Sequence, residues 1–369
     1  MKIGILTFHR ALNYGAVLQC YALFETIKGM GHDVEVIDYR PPYIEKYRRL
    51  FYWKDFKKMK YSSMLKYLLT LPFIYINKRK AAKSFDNFLN NHLVLSCPVY
   101  SAKDIPSYYD TIVFGSDQIW NPRICDGFDP VFWGQFAKGK TKFVAYAASL
   151  EGYHLFSKSQ WETIVKLQKN FDAISVREET FCKELVEHSK RNVQCVIDPT
   201  LLAPPTLLKQ LVQKPLYKRY IFLFLVQKGN TPYLIAQHLS KKIKCEIVIS
   251  RARPRLESPK NTITLDAIMP QQFVELISGA ECIVTNSFHA TAISLQLEKE
   301  FYAVQCERPN RIKNILNAVN LNDRYISKTE DIDHVKPIDY LNVHKHIKIL
   351  ADSSTNYLVD CFYSKKLAK

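Results

Sequence analysis

The most constraining feature of this chain is a short pattern that runs, breaks off and starts again. Lys2–Phe8 (KIGILTF) is a compact apolar run of strand character. Gly15–Gly31 (GAVLQCYALFETIKGMG) carries apolar residues at helical spacing and closes on glycine, a helix stop signal. Asp33–Tyr39 (DVEVIDY) is a second strand. A strand, helix and strand in this order predict a parallel pair with a right-handed crossover. Further strands are predicted at Asp110–Phe114, Lys142–Ala147, Ala173–Val176 and Val193–Ile197. The proline-containing stretch Asp198–Lys218 then interrupts the rhythm. Beyond it RYIFLFLV, CEIVIS, ECIVTN and EFYAVQ read as strands, and TPYLIAQHLSKKI, MPQQFVELISGA and NRIKNILNAVNL as helices. Two such blocks predict an α/β protein with two Rossmann-like domains facing a central cleft. We place the first domain at 1–205, with a helical insertion at about 43–96, and the second at 206–335. A helical tail at 336–369 could pack back on the first domain.

At 369 residues the chain can bury two cores of ordinary size. Its 52 Lys and Arg outnumber 35 Asp and Glu, for a formal charge of +17, so it attracts anions. Nine cysteines are scattered singly, without a C-x-x-C pair or zinc-ligand spacing, which points to free thiols in a reducing compartment. The first residues do not resemble a signal peptide, and no stretch is long and apolar enough to span a bilayer. The expected location is cytoplasmic.

Five stretches carry candidate chemistry. Asn13, Tyr14 and Gly15 join the first strand to its helix, where Gly15 lets backbone approach an anion or a sugar hydroxyl. The spacing is not that of a dinucleotide fingerprint. Gly115, Ser116, Asp117 and Gln118 follow another strand, just before Trp120. They fit either a carbohydrate site with an aromatic platform or a capped helix start with a core Trp. Arg177 ends a strand; its planar fork suits carboxylate or phosphate, but on local grounds pairing with Glu178, Glu179 or a nearby carboxylate is the better explanation. In TNSFHATAIS, Ser287 can cap a helix whose free N–H groups favour an anion, and His289 lies in its first turn. Arg308, Arg311 and Lys313 put three cations into one loop and helix start, against the helix dipole. Together the strand ends gather Arg, His and Lys around a small ligand with a carboxylate and a phosphate. No Asp-x-Asp, zinc or calcium pattern occurs, so no metal is expected.

NYGAVLQCYAL, VFGSDQIWNP, SVREE, DPTLL and NSFHATAISLQLEKEF occur here in the order found in the polysaccharide pyruvyl transferases, which the chain resembles over roughly Met1 to Leu316. The resemblance implies a glycosyltransferase-B-like fold and phosphoenolpyruvate as co-substrate, with no other cofactor. It implies transfer of a pyruvate ketal to a sugar of a capsule or exopolysaccharide. By the same resemblance His289 is the general acid, and Arg177, with Arg308, Arg311 or Lys313, binds the donor. Ser287 joins the donor side; Asn13–Gly15 and Gly115–Gln118 face the acceptor, a lipid-linked oligosaccharide. Ala290, where many relatives have Gly, and Thr180 and Phe181 after Ser-Val-Arg-Glu depart from the family pattern. Two other readings use the same fold: a nucleotide-sugar glycosyltransferase, and a non-catalytic glycan- or membrane-binding protein.

Tyr43–Ser84 holds 12 Lys and Arg against 2 Asp and Glu, with Tyr, Trp and Phe interleaved. No nucleic-acid motif accompanies the charge, so no nucleic acid is expected as partner. The segment is either a solvated helical face or a surface for anionic lipid. The lipid reading predicts co-sedimentation with anionic but not neutral vesicles at low salt, weakened when Arg48, Arg49, Lys57 and Lys58 become Gln. Equal binding to both vesicle types would leave only the solvated face.

Overall fold

The computed structural model describes residues 1–46, 48, 61–213, 217–227, 229–251, 261–306 and 309–363. The side chains of 61–74 and of Arg251 are outside this description. So are Arg49, Lys57, Lys58 and Arg308, on which some of the expectations above fall.

Two six-stranded sheets organise the chain. The first contains β1 (Lys2–Leu6), β2 (Asp33–Val36), β3 (Thr111–Asp117), β4 (Lys142–Ala148), β5 (Ala173–Val176) and β6 (Gln194–Cys195), in the order β2-β1-β3-β4-β5-β6. The second contains β7 (Tyr220–Phe224), β8 (Glu246–Arg251), β9 (Ile263–Asp266), β10 (Cys282–Thr285), β11 (Phe301–Val304) and β12 (Tyr325–Ile326), in the order β12-β11-β10-β7-β8-β9. Every pairing is parallel. The apolar runs follow from this: β3 and β10 are buried along their whole length, as strands covered on both faces must be. The architecture is the two-domain α/β fold expected from the sequence.

Strand order fixes where chemistry can sit. In the first sheet the chain steps to one side from β1 and returns on the other at β3. In the second it does the same between β7 and β10. Ligands of open α/β sheets bind beyond the strand ends at such reversals. Asn13–Gly15 follow β1, Asp117 and Gln118 close and follow β3, and Ser287–His289 follow β10. Three of the five candidate stretches thus stand at reversal points.

The domains share a core. Tyr14 opens the helix Tyr14–Gly29 and stacks between Phe85, 5.3 Å away, and Phe273 of the second domain, 4.6 Å away. Ser84 donates a hydrogen bond to the Ala267 carbonyl (2.8 Å), which ties the second half of the helix Tyr61–His92 to the second domain. The last helix, Tyr340–Tyr363, lies on the first sheet: Tyr357 donates to the Ala145 carbonyl and the Ile197 N–H to Ser354 Oγ. Trp120 belongs to the core, stacked on Trp133 at 4.5 Å with Nε1 donating to the Phe132 carbonyl; it is not a platform for sugar. No helix among the described residues is long and apolar enough to cross a membrane.

Candidate active site

The loops that bear the candidate residues are locked by their own backbones. Asn13 Oδ1 accepts from the N–H groups of Gly15 and Ala16 and so starts the helix Tyr14–Gly29. Ser287 caps the helix Phe288–Gln296 by accepting from the Ala290 N–H at 3.4 Å. Gly115 has φ 120°, and a Cβ there would stand 2.2 Å from the Tyr146 carbonyl oxygen, so only glycine fits. Ser116 is fully buried and donates to the Ala147 carbonyl. Gly115 and Ser116 therefore shape the end of β3 instead of reaching an acceptor, and the Tyr14 ring is equally enclosed by its stacking partners. These three depart from the sequence expectation, because a strand-end motif does not reveal which of its side chains turn inward.

At the junction of the domains lies a buried charge centre built on Asp198, the first residue of the DPTLL stretch, which sequence analysis gave no role of its own. Asp198 is 1% exposed. Its Oδ1 accepts from the N–H (3.0 Å) and hydroxyl (2.7 Å) of Thr200. Its Oδ2 accepts from Arg177 Nη1 at 2.5 Å, has the Ser116 hydroxyl at 3.4 Å and stands 3.6 Å from His289 Nε2. Arg177 also faces Glu178 (3.3 Å) and Asp117 (3.9 Å), and its guanidinium lies 4.6 Å from the Phe288 ring centroid. Burial alone would raise the Asp198 carboxyl; the nearby His289, Arg177 and the Thr200 N–H outweigh it and hold it well below the usual carboxylate range. A carboxyl lowered on folding adds stability above its ordinary value of 3.8, and that contribution fades only as the solution becomes more acidic. Burial would lower the Arg177 guanidinium, but Glu178, Asp198 and Asp117 raise it, so it stays charged. The centre joins three parts of the chain: Arg177 follows β5, the Asp198 cap follows β6, and His289 lies in the first turn of the helix after β10.

His289 is pressed from the other side by Gly15. A Cβ on Gly15 would stand 2.2 Å from His289 Nδ1 and 2.3 Å from Cγ. The glycine is needed for contact with the imidazole, across the domain boundary. His289 Nε2 is buried and makes no hydrogen bond among the described residues.

Two cavities flank this centre. The cleft cavity, about 330 Å³, is lined by Asn13, Asp117, Gln118, Ser287, His289 and Arg311, among others. An inner cavity, about 280 Å³, is lined by Arg177, Asp198, Asn314 and the last helix. Phe288 and Arg311 line both. Arg311 crosses the domain boundary to Glu151 at 3.3 Å, and with its amide oxygen turned towards the guanidinium Gln118 accepts from Nη2 (3.2 Å) and Nη1 (3.3 Å). Of the two members of the predicted basic trio that are described, Arg311 is brought to the site and Lys313 is not. Lys313 is exposed and points at the Tyr325 ring, 4.9 Å from its centroid. The helix Asn310–Ala318 turns those two residues to different faces, which a charge count cannot show. Asp198 opens the DPTLL stretch and the interruption at Asp198–Lys218 without a role being assigned to it, and Glu151 and Asn314 escaped sequence reasoning; in the structure Asp198 caps the short helix Pro199–Leu202.

The family model described as polysaccharide pyruvyl transferase matches residues 13–308, and the chain belongs to that family. No curated protein matches it. Among solved structures, it is similar to the S. aureus MnaA–UDP co-structure (TM-score 0.52, 9% identity, covering 100% of this chain and 99% of that one). It is also similar to the UDP-GlcNAc 2-epimerase of Methanocaldococcus jannaschii in complex with UDP-GlcNAc and UDP (TM-score 0.51, 12% identity, 95% and 100% covered). A third is the UDP-N-acetylglucosamine 2-epimerase of Rickettsia bellii (TM-score 0.50, 12% identity, 98% and 97% covered). At these identities the likeness shows the fold alone, a two-domain arrangement of glycosyltransferase-B type.

Gly15→Ala tests the contact that holds the imidazole. The added methyl has to displace the His289 ring, at a cost of about 1–3 kcal/mol in stability. Turnover should fall about 100-fold, the scale of a 1 Å misplacement in a reacting group. A folded variant with normal turnover would show that the ring position is immaterial.

Proposed function

We propose that this chain moves the enolpyruvyl-derived pyruvate of phosphoenolpyruvate onto two hydroxyls of a sugar as a ketal, in the making of a capsule or exopolysaccharide. The observation that carries the reading is His289: a buried imidazole with an unpartnered Nε2 and Asp198 beside it, lining the cleft of a chain from this family.

The first sugar hydroxyl adds across the C2=C3 bond. Its oxygen bonds to C2 and a proton reaches C3 to make the methyl group. Histidine suits that proton transfer because its ordinary range lies near neutral pH. Asp198 Oδ2 stands 3.6 Å from Nε2, and Gly15 backs the ring. The C2–O bond to phosphate then breaks, positive charge develops at C2, and the second hydroxyl closes the ketal. One hydroxyl proton is thereby balanced by the new methyl hydrogen, and the other leaves with phosphate or solvent. Arg311 and the helix start at Ser287 supply positive potential for the departing phosphate. Asn13, Asp117 and Gln118 line the same cavity and serve the acceptor. No step in this scheme calls for a metal. A lipid-linked acceptor would bring the enzyme to the cytoplasmic face of a membrane, where the basic segment could meet anionic headgroups.

The rival donor is a nucleotide sugar, since the fold relatives are named for UDP and UDP-GlcNAc. Thermal melts separate the two. Phosphoenolpyruvate should stabilise the protein without added metal, and UDP-sugars should not. His289→Ala should fold and lose about 10²–10⁴-fold in ketal formation. Stabilisation by a UDP-sugar and none by phosphoenolpyruvate would overturn the proposal.

A further inference from the structure

The inner cavity has unmet hydrogen-bonding groups on several sides. Arg177 Nη2, Arg311 Nε and Asn314 Nδ2 are buried N–H donors without a hydrogen-bond partner among the described residues, Nη2 having only Asp117 at 3.9 Å, and all three residues line it. Arg177 is 8% exposed, so its loose end has little recourse to solvent. Buried polar groups of this kind each cost free energy unless something answers them. The remaining unmet group is Glu178 Oε2, whose charge is balanced by Arg177 at 3.3 Å and whose other oxygen accepts from Ser149. Arg311, Asn314, Ile315 and Ala318 line the cavity from one face of the helix Asn310–Ala318. Asn314 stands one turn beyond Arg311, on the side away from Lys313.

We propose that Asn314 contacts the donor and reads its carboxylate, together with Arg177 Nη2 and Arg311 Nε, while the donor's phosphate lies in the cleft cavity. This rests on the phosphoenolpyruvate reading above and adds an orientation and a residue to it. Two guanidinium edges and an amide N–H match a planar carboxylate. Besides the carboxylates of Glu178, Glu179 and Asp198, the first and last of them paired with Arg177, the wall is largely apolar, from Val196, Ile197, Leu201, Ile315 and Leu350. Such a wall penalises a phosphate dianion more than a carboxylate monoanion, because burying charge costs more as charge grows. The helix start at Ser287 lines the cleft cavity and not the inner one, which suits the leaving phosphate there. Phe288 and Arg311 line both cavities, so a donor between them places C2 and C3 beside His289.

Asn314→Asp places a carboxylate against the donor's own. The KM for phosphoenolpyruvate should rise about 10–100-fold, the scale of one hydrogen bond to a charged group, with a smaller change in kcat. Pyruvate, which carries the carboxylate alone, should lose its protection against thermal unfolding. Inorganic phosphate should keep its own. Asn314→Ala serves the same comparison if the Asp variant does not fold. An unchanged KM, or equal loss of protection by pyruvate and phosphate, would overturn the role of Asn314. Wild-type protein that neither binds nor consumes phosphoenolpyruvate would instead overturn the donor assignment itself.

Discussion

Asp198 is the group on which the site depends. A carboxylate so deeply buried is tolerated only when opposite charge and hydrogen bonds replace its water. Here Thr200 satisfies one oxygen, and Arg177 and His289 converge on the other. Each of these partners comes from a different stretch of chain, so satisfying one charge brings the end of β5, the connection after β6 and the helix after β10 together. The same carboxylate that stabilises the junction sets the electrostatics of the imidazole. Removing it would leave Arg177 with two weaker carboxylate contacts and His289 with none in its ion-pair range among the described residues.

The two sheets supply the frame for that charge centre. Each reverses its strand order once, and the reversal points face each other with His289, Asp117 and Asn13 between them. Packing across the boundary is apolar and continuous, through the stack of Phe85, Tyr14 and Phe273. Gly15 follows Tyr14 directly, so the contact that joins the domains also brings glycine backbone against His289. Arg311 with Glu151 adds a polar tie over the cavity.

Much of this was legible in the sequence. Fully buried strands between amphipathic helices leave a strong periodic signal, and both blocks of strands and helices were visible in it. Short edge strands leave almost none: β9 and the two-residue β12 were not anticipated. The placement of His289 and Ser287 could be read because a strand, a cap and a helix start occupy consecutive residues. Asp198 could not, since its cap is local whereas its contacts with Arg177 and His289 span long stretches of chain. Tyr14, Gly115 and Ser116 occur in the right motifs but turn inward, and only three-dimensional packing decides that. The distinction between Arg311 and Lys313 likewise needed the helix phase.

The central claim is that a proton passes from His289 to the methylene carbon of phosphoenolpyruvate before phosphate departs from C2. Turnover in D2O with phosphoenolpyruvate and a sugar diol tests it directly, with the ketal read by mass spectrometry. The account predicts one deuteron in the ketal methyl group for each phosphate released, and loss of both signals together in His289→Ala. Phosphate release without a deuterated ketal, or full deuteration in the His289→Ala variant, would contradict it.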